Sequence, residues 1–179
     1  VNGDFVYLGT LVEEYFRQQR VGKALSIIED QEITGWEVWF QVEFASFLSQ
    51  HPSEPEWWRE WPVEFDGRIE KEHLFCRPDF IIRKKGWRKY SYAALEVKQH
   101  PEAGICFSNL MKDIKKVAKV KASALDIRTF WVLAIHHRKP KPELRELIIS
   151  RFDAAGMPPP DDHMLIRHIL GCNYSYSMF

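Results

Sequence analysis

Cysteine is scarce in this chain. Cys76, Cys106 and Cys172 are the only three in 179 residues, too few and too irregularly spaced for a disulfide framework. They read as reduced thiols, which points to a cytoplasmic protein. His73 and Cys76 lie close in sequence, but no second pair at ligand spacing accompanies them, so zinc is set aside. There is no membrane-spanning run and no signal-peptide pattern, so no membrane role is expected. Internal repeats and a defensible linker are also lacking, which leaves one domain over 1–179. The sequence begins at Val1 rather than a methionine. That leaves open a processed chain or part of a larger toxin, transposition or defence protein.

Net charge is absent as well, with 25 basic and 25 acidic side chains. Zero net charge argues at first against a nucleic-acid partner, but the distribution is uneven. Residues 1–75 carry a net charge of −9 and residues 76–179 a net charge of +9. A basic half suits a polyanion, and an acidic half suits a protein partner or restrains non-specific binding.

The most informative stretch is Pro78-Asp79-Phe80-Ile81-Ile82, followed by Glu96-Val97-Lys98. Apolar, β-branched and aromatic residues predict strands over 75–83 and 90–98, joined as a hairpin through Lys84 to Trp87. Residues i and i+2 share a face of a strand. Glu96 and Lys98 therefore point together, with Leu95 and Val97 opposite. Antiparallel pairing brings Asp79 beside Glu96. Two carboxylates inside otherwise apolar strands are costly unless compensated. Oxygen donors of this kind suit Mg²⁺ or Mn²⁺, and a lysine beside them can orient or deprotonate an attacking water, or neutralise a phosphate. A plain exposed Glu–Lys pair is the competing explanation.

The pattern Pro78-Asp79 … Glu96-Val97-Lys98 resembles the metal-binding signature of the PD-(D/E)xK superfamily, the restriction-endonuclease-like nucleases. The resemblance spans about residues 34–137. It implies an α/β fold with a restriction-endonuclease-like core, a mixed β-sheet flanked by helices. It also implies a Mg²⁺- or Mn²⁺-dependent endonuclease acting on nucleic acid, DNA ahead of RNA. The metal positions it implies are Asp79, Glu96, Glu43 and Val97, and the catalytic positions are Asp79, Glu96, Lys98, Glu43 and Gln99. Glu43 enters because a glutamate from the helix before the sheet joins the site in many members. Gln99 enters as the polar residue just past the lysine.

The flanking sequence fits this frame. Residues 1–33 form an N-terminal helical extension, irregular over 1–9, with a Thr10/Glu13 capping box and a break near Gly22. Thr34 and Glu37 make a second capping box, which gives Glu37 a structural role. From Trp36 to Ser49 the arc Trp36, Trp39, Phe40, Phe44, Phe47 contains Glu43 and leaves Glu37 and Gln41 outside. Residues 51–62 read as a loop with a helical turn, 61–65 as the first strand and 66–73 as a polar turn. A lysine-rich helix from Ile105 or Ser108 to Ser123 offers Lys112 and Lys115 to a phosphate backbone. A parallel strand over 128–136 ends at His136, His137 and Arg138, of which His136 and Arg138 are assigned to nucleic-acid contact. A helix over 142–155 stops at Gly156 and closes the catalytic core of 34–156. Residues 163–170 and 172–179 are candidates for further strands. Three other readings stand beside the nuclease: a fold retained without catalysis as a nucleic-acid-binding module, a protein-interaction module, and one domain of a larger system. Cutting both strands of a duplex would call for a homodimer.

Overall fold

The computed structural model describes residues 2–66, 75–117, 120, 126–160 and 162–179. Three helices come first: α1 (Asn2–Phe16), α2 (Gln19–Asp30) and α3 (Glu37–Gln50). The strands β1 (Glu56–Arg59), β2 (Val63–Glu64), β3 (Phe75–Cys76), β4 (Phe80–Arg83) and β5 (Ser91–Gln99) follow. Next are α4 (Ala103–Val117), β6 (Asp126–His137), α5 (Lys141–Ala155), β7 (Leu165–His168) and β8 (Tyr174–Met178). Six strands make one mixed sheet in the order β1-β4-β5-β6-β8-β7, and β2 pairs with β3 in a small separate sheet. Within the large sheet only β5 and β6 run parallel, joined through α4. That is the expected consequence of a helical crossover between neighbouring strands.

The period of two along β6 assigns the layers. Trp131, Leu133 and Ile135 face α1, α2 and α3 in one core, while Val132 and Ala134 face α4 and α5 in another. On β5, Ala93, Leu95 and Val97 join the first core. Tyr92 and Ala94 lie on the other side, where Glu96 and Lys98 continue the same alternation. The sheet is therefore covered on both faces, an α/β arrangement of three layers. No helix among the described residues is long and apolar enough to cross a membrane.

The N-terminal residues are part of this core. Leu8, Leu11, Val12 and Tyr15 of α1 are fully buried in the first cluster. The helix begins at Asn2, not after an irregular stretch, and Thr10 lies inside it with Oγ1 donating to Val6 O at 2.8 Å. Gly22 lies within α2 and permits close packing, since a Cβ there would sit 2.2 Å from Leu170 O. The break falls before it, between Phe16 and Gln19. Helix α3 starts at Glu37 with Trp36 as N-cap and no side-chain cap bond, so the Thr34/Glu37 capping box does not form.

The first strand of the large sheet is Glu56–Arg59, antiparallel to β4, rather than residues 61–65. Val63–Glu64 pairs instead with Phe75–Cys76. An edge strand of four residues, half-buried throughout, has no alternation to betray it. The polar turn read over 66–73 lies, after Asp66, outside the described residues. Helix α4 is described to Val117, and most of 118–125 lies outside as well. After α5 the chain crosses to the outer edge as β7 and returns as β8 between β7 and β6. The last residues therefore complete the sheet interior.

Candidate metal and phosphodiester site

The site lies where β4 and β5 part. Their ladder ends at Phe80↔Leu95, while β5 continues to Gln99, paired there with β6. Asp79, one residue before β4, fills the gap: its Oδ2 accepts the Val97 N–H at 2.7 Å, and its Oδ1 accepts Nε2 of Gln41 at 2.6 Å. Its backbone oxygen accepts Glu60 N–H at 3.3 Å, which ties it to the end of β1. A carboxylate thus replaces the missing strand partner. In an extended residue the carbonyl points to the same strand edge as the N–H, so the Val97 C=O also faces this gap.

Glu96 and Lys98 emerge from β5 on the α4 side. Lys98 Nζ lies 3.0 Å from Glu96 Oε1, 3.7 Å from Glu37 Oε1 on α3 and 3.8 Å from Asp113 Oδ2 on α4. Asp113 is also paired with Lys116 at 2.6 Å. Helices from both layers therefore reach the gap from opposite faces of the sheet.

Burial is the main electrostatic fact here. It pushes the Glu96 carboxyl up to about 7, the Asp79 charge adds to this, and Lys98 opposes it. Asp79 is pushed up to about 6, again chiefly by burial, against the Val97 N–H bond and the charge of Lys98. Burial also works against the Lys98 ammonium, but Glu96 and Glu37 outweigh it and hold the amine protonated above its ordinary range. The amine is thus a donor and a counter-charge, not a base. The nearby Cys76 thiol, pushed up to about 11 by burial and then by Glu96, stays protonated and is no nucleophile.

Among the described residues, no group of three or more His, Cys, Asp or Glu side chains is placed to hold a metal ion. The ammonium of Lys98 lies among the carboxylates instead. The donor chemistry still fits a hard divalent cation. Burial penalises the ionised forms of both Asp79 and Glu96, the Asp79 charge adds to the penalty on Glu96, and Glu37 and Glu60 add to that on Asp79; a bound cation relieves such a penalty.

Other residues expected at the site are placed elsewhere. Glu43 pairs with Arg20 of α2, on the far side of α3 from Glu37 and Gln41. The apolar arc of α3 serves two interfaces, meeting Tyr15 through Phe40, Phe44 and Phe47 and meeting β4 through Phe44 and Phe80. The sheet-facing part carries Phe40, Gln41, Phe44 and Leu48, whose mean direction lies about 115° round the helix from Glu43. Gln99 ends β5 on the Val97 side, away from Glu96 and Lys98.

His136 is 0% exposed, with Nε2 3.0 Å from Ser177 Oγ and Nδ1 2.9 Å from His137 O. It therefore cannot meet a nucleic acid from the surface. Arg138 donates to Ile169 O and to Tyr174 O, closing the mouth of the β7–β8 hairpin. Lys112 and Lys115 are exposed on α4, as a contact with phosphate requires.

Glu37, Gln41 and Asp113 were missed by sequence reasoning. Glu37 and Gln41 are one helical turn apart, and Gln41 borders the buried face formed by Phe40, Phe44 and Leu48, about 20° beyond Leu48. Asp113 is the only acidic residue of α4, set among Lys112, Lys115 and Lys116. Each signal was present, but only the tertiary pairing gives it weight. Searched against family models, curated proteins and solved structures, the chain matches none of them.

Proposed function

We propose that the protein hydrolyses phosphodiester bonds of nucleic acid, DNA ahead of RNA, with Mg²⁺ or Mn²⁺. The observation that carries this reading is the pair Asp79 and Glu96 at the parting of β4 and β5, with Lys98 beside them. Asp79, Glu96 and the Val97 carbonyl would hold the cation, with Glu37 within reach of the same lysine. Such a cation polarises a phosphoryl oxygen and lowers the pKa of a bound water. Lys98, kept protonated by its carboxylate neighbours, donates to a non-bridging phosphate oxygen and offsets the charge that develops there. Exposed Lys112 and Lys115 on the following helix supply sequence-independent contacts to the backbone. The restriction-endonuclease-like identity of the core and the cytoplasmic setting belong to the same proposal.

One observation favours a second reading. The Lys98 ammonium already lies among three carboxylates, so the fold can keep this cluster closed as a non-catalytic nucleic-acid-binding or protein-interaction module. Incubating the protein with plasmid, linear duplex, single-stranded DNA and tRNA, in Mg²⁺, Mn²⁺ or EDTA, separates the two. Metal-dependent cleavage of at least one substrate supports hydrolysis. Metal-independent retention of nucleic acid with no cleavage supports the module.

A further inference from the structure

Gln41 is 4% exposed and joins three elements. Its Nε2 donates to Asp79 Oδ1 at 2.6 Å, its Oε1 accepts Nη2 of Arg59 at the end of β1, and the other oxygen of Asp79 is held by the β5 backbone. The direction of the amide is fixed by chemistry. Arginine only donates, so the amide oxygen must face Arg59 and the NH₂ group must face Asp79. Arg59 Nε is itself buried without a hydrogen-bond partner among the described residues, so the guanidinium is aimed into this interior.

The order Arg59–Gln41–Asp79 matters. A guanidinium placed directly on Asp79 would form a charge-assisted pair and take up the negative charge a metal needs. An amide in between transmits position but not net charge. We infer that Gln41 is a positioning residue of this site: it holds the Asp79 carboxylate through an uncharged donor, leaving its charge available to a divalent cation, while Arg59 sets the direction of the amide. This rests on the hydrolytic reading of Asp79 above.

Calorimetric titration of Mn²⁺ into the parent, Gln41→Met, Arg59→Met, the double variant and Asp79→Asn tests the inference, with near-ultraviolet circular dichroism and melting curves for each. Gln41→Met keeps the volume and loses the donor. It is expected to melt cooperatively, bind Mn²⁺ about tenfold more weakly, and lose kcat with KM for nucleic acid unchanged. Arg59→Met should show a smaller loss, and the double variant should be no worse than Gln41→Met because Arg59 acts through it.

Mn²⁺ affinity of folded Gln41→Met within twofold of the parent, with binding abolished in Asp79→Asn, overturns the inference and leaves the metal reading standing. Fully additive losses overturn the relay from Arg59. Should Gln41→Met fail to fold, unchanged affinity in Arg59→Met overturns that relay in its place, and weakened affinity there supports it. A parent that binds neither Mn²⁺ nor Mg²⁺ overturns both the inference and the hydrolytic reading.

Discussion

Replacing Glu96 with glutamine should stabilise the protein while abolishing cleavage. Burial, and then the charge of Asp79, raise the Glu96 carboxyl from 4.5 to about 7. The native state therefore holds a proton that the unfolded chain has released between those two values. Stability then falls as pH rises through that window, and above pH 7 the full penalty of the buried charge is present. At about 1.4 kcal/mol per unit, the penalty is about 3 kcal/mol.

A glutamine keeps the shape and carries no charge, so the variant should match the parent near pH 4.5 and exceed it by up to about 3 kcal/mol at pH 8.5. For a chain of this size that is a rise of about 6–12 °C in Tm. Melting curves in EDTA at half-unit steps from pH 4.5 to 8.5 give the comparison. Adding Mg²⁺ at pH 8.5 should raise the parent's Tm by mass action and leave the variant's nearly unchanged. A variant less stable than the parent at pH 8.5 would refute the reasoning, because Lys98 would then be repaying the whole cost of the buried carboxylate.

Three further outcomes are expected. Burial lowers the His136 imidazole from 6.5 to about 4, so the unfolded chain takes up a proton first as pH falls. Stability from this group should drop by about 3 kcal/mol between pH 6.5 and pH 4, read as the difference in urea denaturation between the parent and His136→Leu. Gly22→Ala drives a Cβ against Leu170 O and should cost about 1–3 kcal/mol by the same measurement; equal stability would show that the hairpin gives way. Glu43→Gln breaks an ion pair on a partly exposed surface and should cost less than about 1 kcal/mol, with Mn²⁺ affinity unchanged in calorimetric titration.

The parts legible in the sequence are those whose environment is set by near neighbours. The apolar density of β4 and β5, the continuous run Phe130 to Ile135 and the helix ended by Gly156 in a left-handed conformation all follow from local pattern. So does the shared face of Glu96 and Lys98. The strand read over 75–83 is divided, however, Phe75–Cys76 pairing with β2 and only β4 (Phe80–Arg83) with β5. Illegible were the features decided across the chain. Helix α3 is apolar over an arc wide enough for two interfaces, so its periodicity could not say which part meets the sheet. The choice between Glu43 and Glu37 turned on that. Edge strand β1 follows Pro52 and Pro55 and lacks alternation, so it resembles a loop until β4 pairs with it. The lodging of β8 between β6 and β7 is a non-local pairing that no local pattern announces, and it is what turns His136 from a surface candidate into a core residue.

The central claim is that Asp79 and Glu96 together hold the cation on which strand scission depends. The rate of plasmid cleavage measured against Mg²⁺ concentration, for the parent, Asp79→Asn and Glu96→Gln, tests it most directly. The account predicts a saturable Mg²⁺ dependence in the parent, and no cleavage above the EDTA background in either variant, both remaining folded. Cleavage by either folded variant at the parent's rate and Mg²⁺ midpoint would contradict it.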